Sequence, residues 1–218
     1  MHSLNNQIRY WDSVAYRKNF SHPLNVRLFQ SMVSPEAHIL DYGCGYGRTC
    51  QQLVELGFKN VIGVDASPSM IERGKHDHPH LNLHLIDDSE LPYSNETFDA
   101  VLLFSVLTCI PTNLRQFRVV HEISRVLRPN GLLYISDLLL QNDTRNRWRY
   151  DEFADEFDIY GIFRLPDGAV VRHHDLEWIE SLTSNFLQMA LHEIDVTTMN
   201  GHPAKAFQYL GRSKGGSQ

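Results

Sequence analysis

Short apolar runs alternate with segments of helical spacing through the middle of the chain. Strands are predicted where β-branched and aliphatic residues cluster, at 39–40, 60–64, 81–86, 98–104 and 132–137. Helices are predicted at 49–56, from the cap Ser67-Pro68, and up to Pro129-Asn130-Gly131. Nearly continuous apolar strands that alternate with helices are typical of an α/β fold, with a parallel sheet covered on both faces.

The alternation stops after residue 137. Residues 138–174 do not form another strand-helix unit, and 165–169 has the turn chemistry of a hairpin between 160–163 and 170–172. Helical spacing returns at Leu176, Ile179, Leu182 and Phe186, before two strands near 191–198 and 204–210. The sheet is therefore predicted to end in an antiparallel pair, and 138–174 is predicted to be a lid insertion.

The length of 218 residues favours one domain with a substantial core. We predict that this domain spans 1–211 and that 212–218 is a flexible tail. Its predicted parts are an N-terminal cover (1–34), a core (35–137), the insertion (138–174) and a C-terminal helix with strands (175–211).

Composition and charge argue against a disordered chain, a nucleic-acid-binding protein and a membrane-spanning protein. Apolar residues make up 42% and charged residues 21%, which is ordinary for a globular domain. A net charge of -6 argues against a nucleic-acid partner, and the longest apolar run, 100–110, is far below the ~20 residues that cross a bilayer. No targeting segment is recognisable, and three cysteines favour a reduced, cytoplasmic protein over a disulfide scaffold.

A glycine-rich loop, DYGCGYG over 41–47, joins the first predicted strand to the first predicted helix. Its glycines permit a tight turn and allow backbone N–H groups to approach a ligand closely. The third glycine of a dinucleotide fingerprint is missing because position 48 is Arg48, and a Walker lysine is also missing. Phosphate binding is therefore the weaker interpretation.

Acidic residues follow the next two strands. Asp65 ends the second strand, where a carboxylate can accept both hydroxyls of a ribose. Asp87-Asp88-Ser89 follows the third strand, where a carboxylate can accept from an adenine amino group. Either position alone is equally well explained as a turn residue. Together with the glycine loop, in this order, they predict a nucleoside site.

These segments resemble class I S-adenosylmethionine-dependent methyltransferases over about residues 36–137 and weakly over the last two strands. The matching segments are ILDYGCGYG (39–47), VIGVDAS (61–67), DDSELPY (87–93) with FDAV (98–101), and EISRVLRPNGL (122–132). The resemblance implies a Rossmann-like, seven-stranded, mostly parallel sheet whose last strand is antiparallel. It also implies S-adenosylmethionine as the cofactor.

The resemblance further implies which residues contact the cofactor. The glycine loop would face the methionine part, Asp65 the ribose and the Asp87-Asp88 pair the adenine, while the backbone near Ser105 would hold the amino group. Met70 would pack on the adenine, although a core methionine is equally consistent with its spacing. The full predicted set is Tyr10, Asp41, Gly43, Cys44, Gly45, Asp65, Ala66, Met70, Asp87, Asp88, Ser89, Phe104 and Ser105.

The segment that would face the methyl acceptor departs from the sequence patterns of the family's specialised branches. Residues 105–111, SVLTCIP, lack the N/D-P-P-Y/F pattern of amino- and nucleobase-methylating enzymes, and no metal-binding acidic set is recognisable. We therefore predict a small-molecule acceptor and no metal. Predicted acceptor-side residues are Trp11, Tyr16, Thr108 and Arg172. The aromatic N-terminal segment is equally consistent with a helix that only packs on the core.

His173 and His174 are candidate general bases if the acceptor is a hydroxyl or a thiol, because an ordinary imidazole titrates near neutral pH. The alternative is that Asp175 caps a helix and the two histidines are solvated. The acidic run at 151–158 is interpreted as a solvated helix face or as a lid that attracts a cationic acceptor. The basic N-terminal segment could be attracted to this acidic part of the chain.

Other functions stay open at this stage. A non-catalytic S-adenosylmethionine-binding regulatory module would keep the same cofactor residues, and a protein or RNA acceptor is possible. Dehydrogenase chemistry is disfavoured by the missing third glycine, and aminopropyl transfer by the lack of identifiable extra acids.

Overall fold

The computed structural model of the protein describes residues 4–86 and 90–214. The helices are α1 (Leu4–Val14), α2 (Val26–Met32), α3 (Arg48–Glu55), α4 (Pro68–Asp77), α5 (Asn113–Val126), α6 (Thr144–Glu152) and α7 (Leu176–Leu182), with a 3-10 turn at Leu107–Cys109. The strands are β1 (His38–Tyr42), β2 (Asn60–Asp65), β3 (Asn82–Leu85), β4 (Phe98–Phe104), β5 (Leu127–Leu138), β6 (Ile162–Arg164), β7 (Val170–Arg172), β8 (Phe186–Thr197) and β9 (Pro203–Ser213).

Seven strands form one sheet in the order β3-β2-β1-β4-β5-β9-β8. Strands β1 to β5 pair in parallel, and β9 runs antiparallel between β5 and β8. The predicted α/β fold, with a mostly parallel sheet and an antiparallel end, is therefore confirmed.

Side chains alternate between two buried layers. Leu40 and Leu103 pack on the face covered by α5 and α7, whereas Ile39 and Leu102 pack on the face covered by α2 and α3. Because both faces are buried, the central strands show no polar face, which explains their nearly continuous apolar sequence.

The sheet reverses its winding direction at β1, which lies between β2 and β4. The connections after β1 and β4 therefore leave in opposite directions and open a crevice at the carboxyl ends of these strands. The glycine loop after β1, Asp65 at the end of β2, and Ser105 after β4 all lie at this edge.

Three helix starts follow from local side-chain capping. The predicted cap at Ser67 is confirmed, because its hydroxyl accepts from Met70 N at 3.3 Å and Pro68 is the first helical residue. Asp143 caps α6 through Asn146 N at 3.1 Å, and Asp175 caps α7 through Trp178 N at 2.6 Å.

Residues 138–174 contain α6 and the two-stranded hairpin β6-β7. The predicted hairpin turn forms, since Leu165 N donates to Ala169 O at 2.8 Å. The predicted helical position of Phe186 is wrong: α7 ends at Leu182 and Phe186 begins β8. Pairing of β8 with β9 along its whole length outweighs the local helical spacing.

None of the helices described in 4–86 and 90–214 is long and apolar enough to cross a membrane. The same part of the chain contains no group of three or more His, Cys, Asp or Glu side chains arranged to hold a metal ion.

Candidate active site

The glycine loop turns sharply between β1 and α3. Gly43 and Gly45 have φ angles of 72° and 57°, in the left-handed region that favours glycine. A Cβ on Gly43 would lie 2.6 Å from Val106 Cγ2, and one on Gly45 would lie 2.3 Å from Phe20 Cε2. The loop backbone is thus packed closely against two residues that line the same crevice.

Asp65 is held by backbone groups on both sides of the crevice. Its Oδ2 accepts from Gly45 N at 2.8 Å, and its Oδ1 accepts from Ser67 N at 2.8 Å. Burial raises the pKa of Asp65, although these N–H donors act in the opposite direction. The carboxylate therefore links the glycine loop to the start of α4 in a fixed orientation.

The backbone after β4 is strained at the crevice. Ser105 has a φ of 56°, which is uncommon for a residue with a side chain. Its N–H donates to Ser136 O at 2.8 Å, and its carbonyl accepts from Cys109 Sγ at 3.3 Å. Strain of this kind is frequent at ligand sites, where the surrounding structure maintains it.

These loops enclose a first cavity of about 140 Å³. The predicted residues on its wall are Trp11, Gly43, Gly45, Asp65, Ala66, Met70, Phe104 and Ser105. Residues on its wall outside the predicted set are Gln7, Ile8, Phe20, Tyr42, Ile86, Val106, Cys109, Ile110 and Met199. The cavity is mostly apolar, with the Asp65 carboxylate at one side, which suits a ligand that joins an apolar ring to a group bearing hydroxyls.

Two predicted cofactor residues lie beneath the glycine loop instead of on the cavity wall. Asp41 is buried and accepts from Cys50 Sγ at 3.4 Å, and Cys44 is buried beside the same thiol. Burial raises the pKa of Asp41 to about 7. These side chains support the loop from below. The predicted residues Asp87, Asp88 and Ser89 lie outside the described residues.

The buried Asp41 predicts a pH-dependent stability. Its pKa is higher in the folded protein than in the unfolded chain, so the native state retains a proton that the unfolded state releases, and stability falls as the pH rises towards about 7. Asp41→Asn should therefore stabilise the protein by roughly 2 kcal/mol more at about pH 8.5 than at about pH 5.5. Urea unfolding of both proteins at the two pH values measures this difference, and an equal effect at both would contradict the prediction.

The N-terminal segment covers the crevice. Asp12 Oδ1 accepts from Ser67 Oγ at 2.6 Å and from Ser69 N at 3.1 Å. The Arg73 guanidinium donates to Ala15 O at 2.7 Å and lies over the Tyr46 ring at 3.7 Å. These contacts fix α1 and the following turn on α4, so that Trp11 reaches the cavity wall.

Two predicted aromatic residues of this segment do not line the cavities. Tyr10 is buried and donates to Asp167 Oδ2 at 2.9 Å, so it joins the N-terminal segment to the hairpin turn. Lys18 Nζ lies 3.2 Å from the same Asp167 oxygen, which is one attraction between the basic segment and the insertion. Tyr16 is 64% exposed.

A second cavity of about 350 Å³ adjoins the first. Both cavities are bordered by a shared wall of five residues: Trp11, Phe20, Ser105, Cys109 and Met199. The rest of the second cavity is formed by α6, the β6-β7 hairpin and the turn between β8 and β9. The predicted residues Thr108 and His173 line it.

The two neighbouring histidines have different surroundings. His173 lines the second cavity, with Nδ1 2.6 Å from the Tyr150 hydroxyl. His174 lies between α5 and β5, with Nε2 2.9 Å from Gln116 Nε2 and Nδ1 3.3 Å from Leu138 O. Burial lowers the pKa of both to about 3, so both are neutral at pH 7. The solvated alternative for the two histidines is wrong, while the cap at Asp175 is confirmed.

Arg172 points away from the cavities. Its guanidinium donates to Pro111 O at 3.1 Å and Asn113 Oδ1 at 2.7 Å, and it lies 4.8 Å from the Trp178 ring centroid. Thr108 donates to Arg172 O at 2.8 Å and so fixes the end of β7 against the 3-10 turn. The contacts of Arg172 therefore indicate a structural role.

The fold is a Rossmann-like α/β fold, and its crevice holds one cavity with a second cavity adjoining it. Residues 40–135 match the family model described as a methyltransferase domain. This domain belongs to the class I S-adenosylmethionine-dependent methyltransferase family, whose cofactor is S-adenosylmethionine.

Individual relatives agree with this family. The uncharacterized methyltransferase YodH of Bacillus subtilis is 32% identical over 155 residues, which are 69% of this chain and 60% of that protein. The N-demethylindolmycin N-methyltransferase of Streptomyces griseus is 27% identical over 76% of this chain and 74% of that protein. The chain spans 60% or less of the length of the first three curated relatives it matches.

A solved structure shares the fold. A methyltransferase from Methanosarcina mazei has a TM-score of 0.81 at 21% identity, over 89% of this chain and all of that one. Other relatives carry names of lysine and tRNA methyltransferases, so membership of the family does not define the acceptor.

Proposed function

We propose that the protein transfers the methyl group of S-adenosylmethionine to a small molecule held in the second cavity. The observation that carries this proposal is the shared wall of Trp11, Phe20, Ser105, Cys109 and Met199 between the two cavities. Because the two cavities adjoin along these residues, a cofactor in the first cavity and an acceptor in the second would face each other there. In-line displacement needs this kind of direct approach between two bound reactants.

The family cofactor supplies an activated methyl group on a sulfonium centre. The chain's own contribution is then to bind, to orient and to exclude water. Gly43 and Gly45 let the loop backbone come close to the ligand, and Asp65 offers a fixed acceptor for its hydroxyls. Trp11 and Phe20 cover the crevice with apolar surface, which excludes water from the point of transfer.

The walls of the second cavity support a small-molecule acceptor over a macromolecule. Its volume of about 350 Å³ falls in the range of small-ligand pockets. The N-terminal segment, the insertion and the β8-β9 turn line it, so that a small molecule would be contacted from several sides. The three cysteines Cys44, Cys50 and Cys109 are free, which supports a reducing, cytoplasmic setting.

Calorimetric titration followed by product analysis tests the proposed function. We expect S-adenosylmethionine and its demethylated product to bind with one site per chain, and mass spectrometry to find methylated products among small-molecule acceptors. Absence of binding by both ligands would overturn the proposal. Binding without transfer to small molecules, protein or tRNA would instead identify a regulatory module.

His173 is proposed to donate a hydrogen bond to the acceptor. The Tyr150 hydroxyl accepts from Gln141 N at 3.1 Å and donates to His173 Nδ1 at 2.6 Å, which leaves the Nε2–H group of the imidazole as the donor for a ligand in the second cavity. The lowered pKa keeps this imidazole neutral, so its proposed role is to orient the acceptor during transfer.

Substitution of the two histidines separates this role from a structural one. His173→Ala should lower kcat about tenfold or more, with little change in cofactor affinity. His174→Ala should lower the melting temperature, because Gln116 loses a buried partner, and should change kcat much less. Equal kcat values for His173→Ala and the unmodified protein would contradict the proposal for His173, and a large kcat loss in a stably folded His174→Ala would favour the other histidine.

A further inference from the structure

The second cavity has an excess of positive charge. Arg145 and Arg149 of α6 both line it, while its one carboxylate among the described residues is Asp167. That carboxylate is already engaged by the Tyr10 hydroxyl at 2.9 Å and by Lys18 Nζ at 3.2 Å. The two guanidiniums are therefore not neutralised by the wall of the cavity.

The two arginines are four residues apart, on the same face of α6. Arg149 NH1 lies 3.4 Å from Asn146 Oδ1, and its guanidinium carbon lies 5.2 Å from the Phe163 ring centroid. Neither arginine forms an ion pair with a carboxylate of residues 4–86 or 90–214. Burial and then the like charge of Arg145 lower the pKa of Arg149, and the Asp143 and Glu152 carboxylates offset this lowering only in part.

Like charges at this spacing destabilise a helix, so an unpaired arginine pair at a cavity wall indicates a ligand that supplies the missing charge. Building on the proposed function, we propose that the methyl acceptor carries an oxyanion, a carboxylate or a phosphate, that binds between Arg145 and Arg149. The planar guanidinium presents paired N–H donors that match either group. The apolar side chains of Phe163, Leu165 and Val171 would contact the body of the acceptor.

The acidic run of the insertion lies outside the second cavity, and Glu152 acts on Arg149 only through the electrostatic field. Asp151, Glu152, Asp155, Glu156 and Asp158 are all exposed, and none lines the second cavity. Glu156 is paired with Arg164. The earlier interpretation of the run as an attractant for a cationic acceptor therefore has no contact to support it, and the run is a solvated surface.

Ligand-observed NMR titration tests the anion site without any methyl transfer. The probes are benzoate, phenyl phosphate and the neutral isostere benzamide, each titrated into protein saturated with S-adenosylhomocysteine. We expect benzoate or phenyl phosphate to bind about tenfold more tightly than benzamide, with the better of the two anions identifying the acidic group. Equal binding of all three probes would overturn the proposal.

Matched variants on α6 assign the effect to the cavity. Arg145→Gln and Arg149→Gln should each weaken binding of the anionic probe about tenfold and leave benzamide unchanged. Arg149→Lys should retain part of the affinity, which separates loss of charge from disturbed folding. Arg147→Gln is the control, because Arg147 lies on the same helix, is exposed and does not line the cavity.

The experiments distinguish failure of the anion site from failure of the proposed methyl transfer. If the protein fails to bind S-adenosylhomocysteine, the same probes are titrated without it, and loss of anion binding in Arg145→Gln and Arg149→Gln would then retain the anion site and reject methyl transfer. Normal cofactor binding with no difference between the arginine variants and Arg147→Gln would reject the anion site alone.

Discussion

Asp65→Ala is expected to remove cofactor binding while the fold is retained. The Asp65 carboxylate is oriented by Gly45 N and Ser67 N, both at 2.8 Å, towards the first cavity. Two hydrogen bonds from ligand hydroxyls to a carboxylate contribute ~1.5–3 kcal/mol each, so the dissociation constant for S-adenosylhomocysteine should rise ~100-fold or more. Isothermal titration calorimetry measures this change.

Two further variants make the test specific. Asp65→Asn keeps the size of the side chain and one acceptor oxygen, and it should weaken binding to an intermediate degree. Asp195→Ala removes a carboxylate whose side chain is 82% exposed on β8, and it should leave the affinity unchanged. A cofactor affinity in Asp65→Ala within threefold of the unmodified protein would exclude Asp65 from the site.

Gly45→Ala is expected to have the second large effect on cofactor binding. The new methyl group would stand 2.3 Å from Phe20 Cε2 at a backbone φ of 57°. Phe20 stacks on Tyr46 at 5.1 Å and contacts Trp11 at 6.0 Å, so its ring cannot move without disturbing the cover of the crevice. We expect cofactor affinity to fall about tenfold or more, with ~1–2 kcal/mol lost from the free energy of unfolding.

Gly57→Ala provides the matched control for Gly45→Ala. Gly57 also has a positive φ, 91°, but a Cβ there would meet nothing within 4 Å. It should therefore lose a similar amount of stability through backbone strain and keep its cofactor affinity. If Gly57→Ala and Gly45→Ala reduce cofactor affinity equally, the close approach of Phe20 to the loop has no role in binding.

Local chemistry explains which parts of the fold could be predicted from the sequence. The glycines of 41–47, the cap at Ser67 and the apolar strands each depend on residues close together in the chain. The parallel pairing of β1 with β2, of β2 with β3 and of β4 with β5 could be anticipated because connecting helices bring successive parallel strands together, whereas the β1-β4 pairing depends on a longer connection. Local signals alone failed at Phe186, where pairing with a distant strand decides the conformation.

The acceptor side could be predicted only in part because it is assembled by distant contacts. Gln7, Phe20 and Met199 reach the cavities from the N-terminal segment and the β8-β9 turn, and no local pattern relates these residues. His173 and His174 face different surroundings because successive side chains of an extended segment point to opposite sides. The spacing of Arg145 and Arg149 is the one visible sequence signal for the charged end of the second cavity.

The shared wall between the cavities has a thermodynamic consequence. Any ligand that moves Trp11, Phe20 or Met199 in one cavity changes the walls of the other. A ligand that does so couples the two binding equilibria, and reciprocity then requires each ligand to alter the affinity of the other by the same factor. An affinity measured for one cavity alone would then describe only part of the binding, and the coupling factor would have to be measured with both ligands present.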